Sequence, residues 1–117
     1  MQRMTYHESH PVTSEDAEAA FASNNPEAIA FALVNVVFHD PDWRWVQERC
    51  LEFTQHSNAS VRQIAVTCLG HVARIHRKLD LEKVSQTLSK LSYDPEIQVE
   101  DAISDIRIFM GVDLKLN

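Results

Sequence analysis

Two pairs of carboxylates in the last third of the chain have the spacing that stacks side chains along one side of a helix. Glu96 and Glu100 form one pair and Asp101 and Asp105 form the other, with the partners four positions apart in each. Hydrolysis of a glycosidic bond instead requires two carboxyl groups that face each other across a cleft. The spacing therefore favours a solvated helix surface, and no catalytic residue is predicted.

The histidines and cysteines do not form a metal-binding pattern. His71 and His76 are five residues apart, whereas two ligands on one helix face are three or four residues apart. Cys50 and Cys68 stand alone, without the paired spacing of a zinc site or a redox motif. We therefore predict no metal and no cofactor, and we expect both cysteines to be buried thiols in a reducing compartment.

The segment 61–78 lacks acidic residues and is rich in cations. These are Arg62, Arg74, Arg77 and Lys78, with His71 and His76 between them. A nucleic-acid surface would use such cations to neutralise phosphates. Most of them, however, lie near the C-terminal end of a predicted helix, where the helix dipole stabilises positive charge. Asp101 and Asp105 are further candidates to neutralise them, so structural pairing is the favoured interpretation.

The charge of the chain is acidic and unevenly distributed. The formal net charge is −6; residues 1–60 carry all of this excess, whereas residues 61–117 carry equal numbers of acidic and basic groups. A protein that neutralises phosphates needs the opposite sign. The charge thus argues against a nucleic-acid partner and favours a basic protein partner.

Capping residues and helical spacing of apolar residues predict six helices. Asn25-Pro26, Asp40-Pro41 and Asp94-Pro95 each place an N-cap residue before a proline in the first helical position. The predicted helices cover residues 14–22, 26–38, 41–55, 59–77, 81–92 and 95–110, with Ser14, Asn58 and Asp80 as further caps and Gly111 as the last stop. Because the connections are short, consecutive helices should be antiparallel neighbours. We expect one domain over residues 1–117, with residues 1–13 flexible.

The predicted helices also repeat with a period typical of α-helical solenoids. Leu51 and Leu88, each late in a helix, are 37 residues apart. Asn58 and Asp94, each at the cap of the next helix, are 36 residues apart. Repetition at this distance indicates helical hairpins that stack and bury their apolar faces on one another.

The run Asn58 to Gly70 (NASVRQIAVTCLG) resembles the second helix of a HEAT repeat. That signature has a small polar cap, then Val-Arg, an alanine four residues after the valine, and Leu-Gly four residues further on. The resemblance covers residues 41–77, weakens over 81–110 and reduces to a helical pair over 14–38. It implies an all-α, right-handed HEAT-like solenoid of about three helical hairpins. In such repeats Arg62 would join polar contacts between units, clamped by a carboxylate or by helix-terminal carbonyl groups.

Two further runs are similar to those of small bacterial HEAT-like immunity proteins from toxin loci. They are Cys-Leu-Gly-His at residues 68–71 and Ala-Arg-Ile-His-Arg-Lys at residues 73–78. This resemblance implies a non-catalytic protein that binds a cognate toxin and covers its active site or substrate groove. Many such toxins are nucleases with basic substrate surfaces, which an acidic protein would meet favourably. We therefore expect an immunity protein whose partner is a basic toxin domain.

The acidic half of the chain supplies the predicted partner-binding surface. Trp45 lies about 200° around its helix from Trp43, away from the apolar stripe. An exposed tryptophan among acids is typical of an interface hot spot. Packing under the preceding helix and stacking on Arg49 are the alternatives for Trp45. The predicted partner-binding residues are Asp40, Asp42, Trp45, Glu48 and Glu52, with Asp101 and Asp105 as a second cluster.

Two other functions remain open on the sequence. One is a general scaffold or adaptor that binds a cellular protein, which gene neighbourhood would separate from an immunity protein. The other is a HEAT-like nucleic-acid-binding or glycosylase-type protein, which needs a longer solenoid and a basic groove. The first residues lack the apolar core of a signal peptide, and no apolar stretch is long enough to span a bilayer. A cytoplasmic location without membrane contact is therefore expected.

Overall fold

The computed structural model describes residues 12–116, which form α-helices joined by short connections and contain no β-strand. The helices are α1 (Ser14–Ala22), α2 (Pro26–His39), α3 (Trp43–Phe53), α4 (Ala59–His76), α5 (Leu81–Leu91) and α6 (Glu100–Met110). The prediction of an all-α fold is thus confirmed. Among the described residues, no helix combines the length and apolar character needed to cross a membrane.

Side-chain caps explain where the first five helices begin. The caps are Thr13, Asn25, Asp42, Asn58 and Asp80, and each accepts a hydrogen bond from a backbone N–H of the first turn. The predictions of Asn25, Asn58 and Asp80 as caps are confirmed. Gly111 ends α6 with a φ of 65°, a left-handed conformation that glycine adopts without strain, as predicted.

Two predicted helix starts are wrong, whereas α1 begins at Ser14 as predicted and only its cap differs. Thr13, one residue before Ser14, caps α1 by accepting from Asp16 N at 3.0 Å. The Asp40-Pro41 pair does not open α3, because Asp40 Oδ1 accepts from Asp42 N at 2.8 Å and closes a turn before the helix. The Asp94-Pro95 pair does not open α6, which begins only at Glu100.

The late start of α6 follows from contacts that hold residues 94–99 against α4. Gln63 of α4 bonds both backbone groups of Gln98, since Oε1 accepts from N at 2.9 Å and Nε2 donates to O at 3.0 Å. Ile97 and Val99, on either side of Gln98, are buried in the core. Ile97 N donates to the carbonyl oxygen of Asp94 at 3.1 Å, so residues 94–97 form a turn, and Val99 becomes the N-cap of α6.

Arg62 links α4 to the same segment. Its Nε donates to Asp94 Oδ2 and its Nη2 to Glu96 Oε1, both at 3.1 Å. Its Nη1 donates to the carbonyl oxygens of His56 and Ser57, both at 3.0 Å. The expectation that a carboxylate clamps Arg62 is therefore confirmed, whereas the two carbonyl groups belong to the connection between α3 and α4 and not to a helix end.

Helix α4 lies at the centre of the fold, between α2 and α6, and it also packs against α3. The C-terminal ends of α2 and α4 meet where the ring of Phe38 lies 5.5 Å from that of His71. The C-terminal ends of α4 and α6 meet where Arg77 lies over Phe109. Helices α2, α4 and α6 therefore run in the same direction, with α4 in contact with both of the others. Gly70 permits the close approach of α6, because a Cβ there would lie 3.1 Å from the Cα of Ala102.

The two cysteines meet in the core between α3 and α4. Cys50 and Cys68 are both buried and both free thiols. A hydrogen bond with the Cys68 thiol and burial together raise the pKa of Cys50. The prediction of buried thiols is confirmed.

The predicted flexible segment, residues 1–13, overlaps the described part of the chain by two residues. Residues 1–11 lie outside the described residues. Val12 donates its N–H to Oδ1 of the buried Asn35 at 3.0 Å, and Thr13 caps α1.

Candidate partner-binding surfaces

The first candidate surface is the acidic one predicted from the sequence, which we name the α3 edge. It consists of Asp40, Asp42, Trp45, Glu48 and Glu52, and the structure places all five at α3 or at the turn before it. Two of its carboxylates accept hydrogen bonds from backbone N–H groups. Asp40 accepts from the N–H of Asp42, and Asp42 Oδ1 accepts from the N–H of Trp45 at 3.1 Å. These two acids shape the start of α3.

The other two acids of the α3 edge form ion pairs. Glu48 Oε2 accepts from Lys83 Nζ of α5 at 3.2 Å and from Gln47 Nε2 at 3.1 Å. Glu52 lies 3.3 Å from Arg49 one turn earlier on α3. Their negative charge is thus offset by neighbouring cations, which lowers the attraction that this edge exerts on a basic partner.

Trp45 is half-buried and packs under the preceding part of the chain. Its ring centroid lies 6.3 Å from that of Phe21 of α1, which in turn lies 5.2 Å from Phe53 in the core. Packing beneath an earlier helix is one of the alternatives left open by the sequence. Arg49 is engaged with Glu52 and Glu18, and it is Arg44 that lies over a tryptophan, namely Trp43.

A second surface, which sequence reasoning missed, begins with a row of apolar side chains on α2. Phe31, Val34 and Phe38 are 56%, 37% and 46% exposed. Their spacing of three and four residues places them on one side of the helix, opposite the buried Ile29 and Leu33. The signal was present in the sequence, because α2 carries more apolar residues than one buried stripe can contain. An unbroken apolar run is also typical of a fully buried helix, so the sequence pattern does not show that this row is exposed.

The row on α2 ends at a cluster of cationic groups on α4. The guanidinium of Arg74 lies 5.7 Å from the ring centroid of Phe38, and its Nη2 lies 3.2 Å from Nδ1 of His71. Burial, followed by the charge of Arg74, lowers the pKa of His71, while Asp105 opposes this shift. The neutral ring can therefore accept the hydrogen bond from Arg74 at neutral pH.

The predicted pairing of the α4 cations with Asp101 and Asp105 is wrong. Among the described residues, neither carboxylate lies within ion-pair distance of Arg74, Arg77 or Lys78. Arg74 and Arg77 instead lie over the rings of Phe38 and Phe109. The expected dipole stabilisation does apply, since Arg74 and His76 lie in the last turn of α4.

Helix α6 adds the third part of this surface. Asp101, Asp105 and Ile108 recur every three or four residues and so share one side of α6. Ile108 is 66% exposed. Asp105 Oδ2 would lie 3.1 Å from a Cβ at Gly70, so this side borders α4. We name the whole surface the open face; it consists of Phe31, Val34, Phe38, Arg74, Asp101, Asp105 and Ile108.

In the described part of the chain, no three His, Cys, Asp or Glu side chains are placed to hold a metal ion. A cleft of about 710 Å³ lies between the N-terminal ends of α2 and α4. Glu27 is the one ionisable side chain among the described residues that line it. General acid–base catalysis needs converging groups, which this cleft does not provide.

A solved structure is similar to this chain along almost its whole length. It is the crystal structure of a CDI complex from Cupriavidus taiwanensis LMG 19424, of which one chain superposes with a TM-score of 0.79. The two sequences are 33% identical, and the match covers 92% of this chain and 98% of the other. The chain belongs to the same family as this component of the CDI complex. No protein-family model matches it, and no curated protein does.

In this relative of a chain from the CDI complex, the two surfaces differ in how many of their charged groups already have bonding partners. The acids of the α3 edge cap a helix or pair with cations. Asp101 and Asp105 on the open face form no ion pair with a described residue. The open face also carries the exposed apolar side chains of α2 and α6.

Proposed function

We propose that this chain is an immunity protein that binds and neutralises the toxin of a contact-dependent inhibition (CDI) system. The observation that carries the proposal is the 33% identity, over 98% of its length, with a chain solved in a CDI complex. Such a complex joins a toxin to its immunity protein. Of these two components, we assign this chain to the immunity protein, whose role requires a surface that binds the toxin.

The proposed partner is a basic toxin domain, with a nuclease as the favoured class. The net charge of −6 supports this assignment, because an acidic protein is attracted to a surface that binds nucleic acid. Occlusion of the toxin's active site or substrate groove is the proposed mechanism, so the chain itself performs no catalysis. A toxin that acts inside the cell must be met there, and the proposed location is therefore the cytoplasm.

The proposal includes a HEAT-type, right-handed solenoid of about three hairpins. Two features of the packing support it. Helix α4 packs against both α2 and α6, and the helix before it, α3, packs against α4 and α2, as expected for successive helical hairpins. Polar side chains of α4, above all Arg62 and Gln63, bond the segment that leads to α6. A stack of this kind offers a broad, preformed wall for a protein partner.

The test is protection of growth by co-expression. The toxin domain is taken from the gene directly upstream of this chain's gene and placed under an inducible promoter. Induction alone should stop growth, and co-expression of this chain should restore it, with the two purified proteins eluting together in gel filtration. A catalytically inactive toxin supplies the protein for the binding measurement.

Two results would overturn the proposal. One is an upstream gene that encodes no toxin, together with binding to an unrelated cellular protein, which would indicate an adaptor. The other is salt-sensitive retention of duplex DNA by this chain, which would indicate a HEAT-like nucleic-acid binder.

A further inference from the structure

The open face combines features that a folded monomer does not need. Three apolar side chains of α2 and Ile108 of α6 are exposed by between 37% and 66%. Exposed apolar side chains scattered singly are ordinary, but a contiguous row marks an interaction surface. Phe31, Val34 and Phe38 form such a row over two helical turns.

The centre of the open face is held in place before any partner arrives. Arg74 lies over Phe38 and donates toward Nδ1 of His71, so two neighbours on two helices fix its guanidinium. Among the described residues no carboxylate neutralises it. An arginine that is already ordered loses little entropy on binding, and arginine is enriched among residues that dominate binding energy.

The α6 border of the open face is acidic and available. Asp101 is exposed, Asp105 is half-buried, and both carboxylates lack an ion pair with any described residue. By contrast, Glu48 and Glu52 of the α3 edge each have a cation within 3.3 Å. A basic partner therefore gains more from the carboxylates of α6 than from those of α3.

The width of the open face indicates the size of its occupant. Because α4 packs against both α2 and α6, the apolar row lies up to two interhelical spacings, or about 16–20 Å, from Asp101 and Asp105. A single extended peptide laid across the three helices could reach both borders, but it would cover only part of the α2 row, which is about 10 Å long. A folded domain with an apolar patch and basic groups about 20 Å apart matches both.

We propose that the open face is the surface that contacts the toxin, and that its occupant is a folded, basic toxin domain whose apolar patch covers the α2 row and whose cations pair with Asp101 and Asp105. This inference rests on the proposed function and adds the location of the contact. It also assigns the main contact to the second acidic cluster predicted from the sequence, on α6, in place of the α3 edge.

The test measures the dissociation constant of the purified chain and the inactive toxin domain by isothermal titration calorimetry. Phe31→Gln removes the most exposed ring of α2 and keeps a helix-forming residue, so melting should be unchanged while Kd rises about 30-fold or more. The double variant Asp101→Asn/Asp105→Asn keeps side-chain shape and removes two charges, and it should raise Kd about tenfold at low salt. The matched control is Glu15→Gln/Glu82→Gln, which removes two exposed charges from α1 and α5 and should leave Kd within about threefold.

Each outcome separates this inference from the proposed function. Failure of the unmodified chain to bind the toxin would remove the proposed function itself. Tight binding by the unmodified chain and by both open-face variants would leave the immunity function standing and overturn the assignment of the surface. If Phe31→Gln weakens binding and Asp101→Asn/Asp105→Asn does not, the occupant does not pair cations with these two carboxylates, and its proposed basic character is wrong. A concentration-dependent dimer of the free chain that Phe31→Gln dissolves would show that a second copy occupies the face.

Discussion

The α3 edge and the open face both place aromatic rings beside charged groups, yet they use them differently. On the α3 edge, Asp42 caps the helix, Glu48 pairs with Lys83, and Trp45 packs on Phe21. On the open face, Phe31 is mostly exposed and Asp101 has no ion pair among the described residues. Composition alone therefore does not identify a binding surface. What distinguishes the two is whether the polar and apolar groups already have partners.

This difference has a direct consequence for mutation. Side chains whose partners lie within the chain contribute to the free energy of unfolding, whereas side chains without such partners contribute to binding. Substitutions on the α3 edge should lower stability and leave the complex intact. Substitutions of Phe31, Asp101 and Asp105 on the open face should do the reverse.

The largest effect is expected for Arg62→Ala, which removes the link that holds α6 and hence one border of the open face. Its guanidinium donates to two carboxylates and two carbonyl oxygens, and its side chain is 14% exposed. Loss of these bonds leaves Asp94 half-buried without its cation. The free energy of unfolding should fall by about 2–3 kcal/mol, measured by urea denaturation.

Arg62→Lys is the matched variant for this prediction. Lysine keeps the charge but does not present the planar fork that reaches four acceptors, so an intermediate loss is expected. A midpoint equal to that of the unmodified chain for Arg62→Ala would show that the link between α4 and α6 is solvated and contributes nothing.

The next effect is expected for Trp45→Ala on the α3 edge. The ring is half-buried against Phe21, so the cost should lie below that of a fully buried aromatic, at about 2 kcal/mol. Thermal melting should therefore shift downward by several degrees, whereas Kd for the toxin should change less than about threefold. Trp45→Phe should lose less stability because it keeps a ring on Phe21.

A Trp45→Ala variant that keeps its stability but loses toxin binding would exchange the roles of the α3 edge and the open face. Unchanged melting together with a 30-fold weaker complex would make Trp45 the interface hot spot that its acidic neighbours suggest in the sequence. The α3 edge would then be the binding surface.

The sequence predicts the helices better than it predicts the surface, and the reason is physical. Caps such as Asn25 and Asn58 act on residues two or three positions away, so their effect can be read locally. The start of α6 depends on Gln63, which is 35 residues distant from Gln98 and leaves no local signal. The same limit explains why Asp94-Pro95 was mistaken for a helix start.

The candidate sites show the same limit. A helical wheel correctly places Trp45 away from the apolar stripe of α3, but it does not show that Phe21 of another helix covers the ring. It likewise predicts that α2 has apolar residues on several sides, but not which side stays uncovered. The side that stays uncovered is decided by how α2 packs against α4, and this packing leaves Phe31 exposed.

A smaller effect is expected for Asp42→Ala, which removes the cap of α3. Asp42 Oδ1 accepts from Trp45 N at 3.1 Å, and losing such a cap costs about 1 kcal/mol of unfolding free energy. Asp42→Ser keeps an acceptor and removes the charge, so it should restore most of the stability. Toxin binding by Asp42→Ser should equal that of the unmodified chain at low salt; a clear loss would return the α3 edge to the interface.

The smallest effect concerns the pH dependence of the open face through His71. Burial and Arg74 lower the pKa of His71 in the folded chain, whereas the unfolded chain titrates near the usual value of about 6.5. Below that pH the unfolded state binds the proton more readily, so the free energy of unfolding must decrease as the pH falls. Protonation also removes the acceptor for Arg74 and places two cations side by side. His71→Asn keeps an acceptor and does not titrate; urea midpoints at pH 7.5 and 5.5 should therefore differ less for this variant than for the unmodified chain. Equal differences would show that His71 does not govern the acid response of this face.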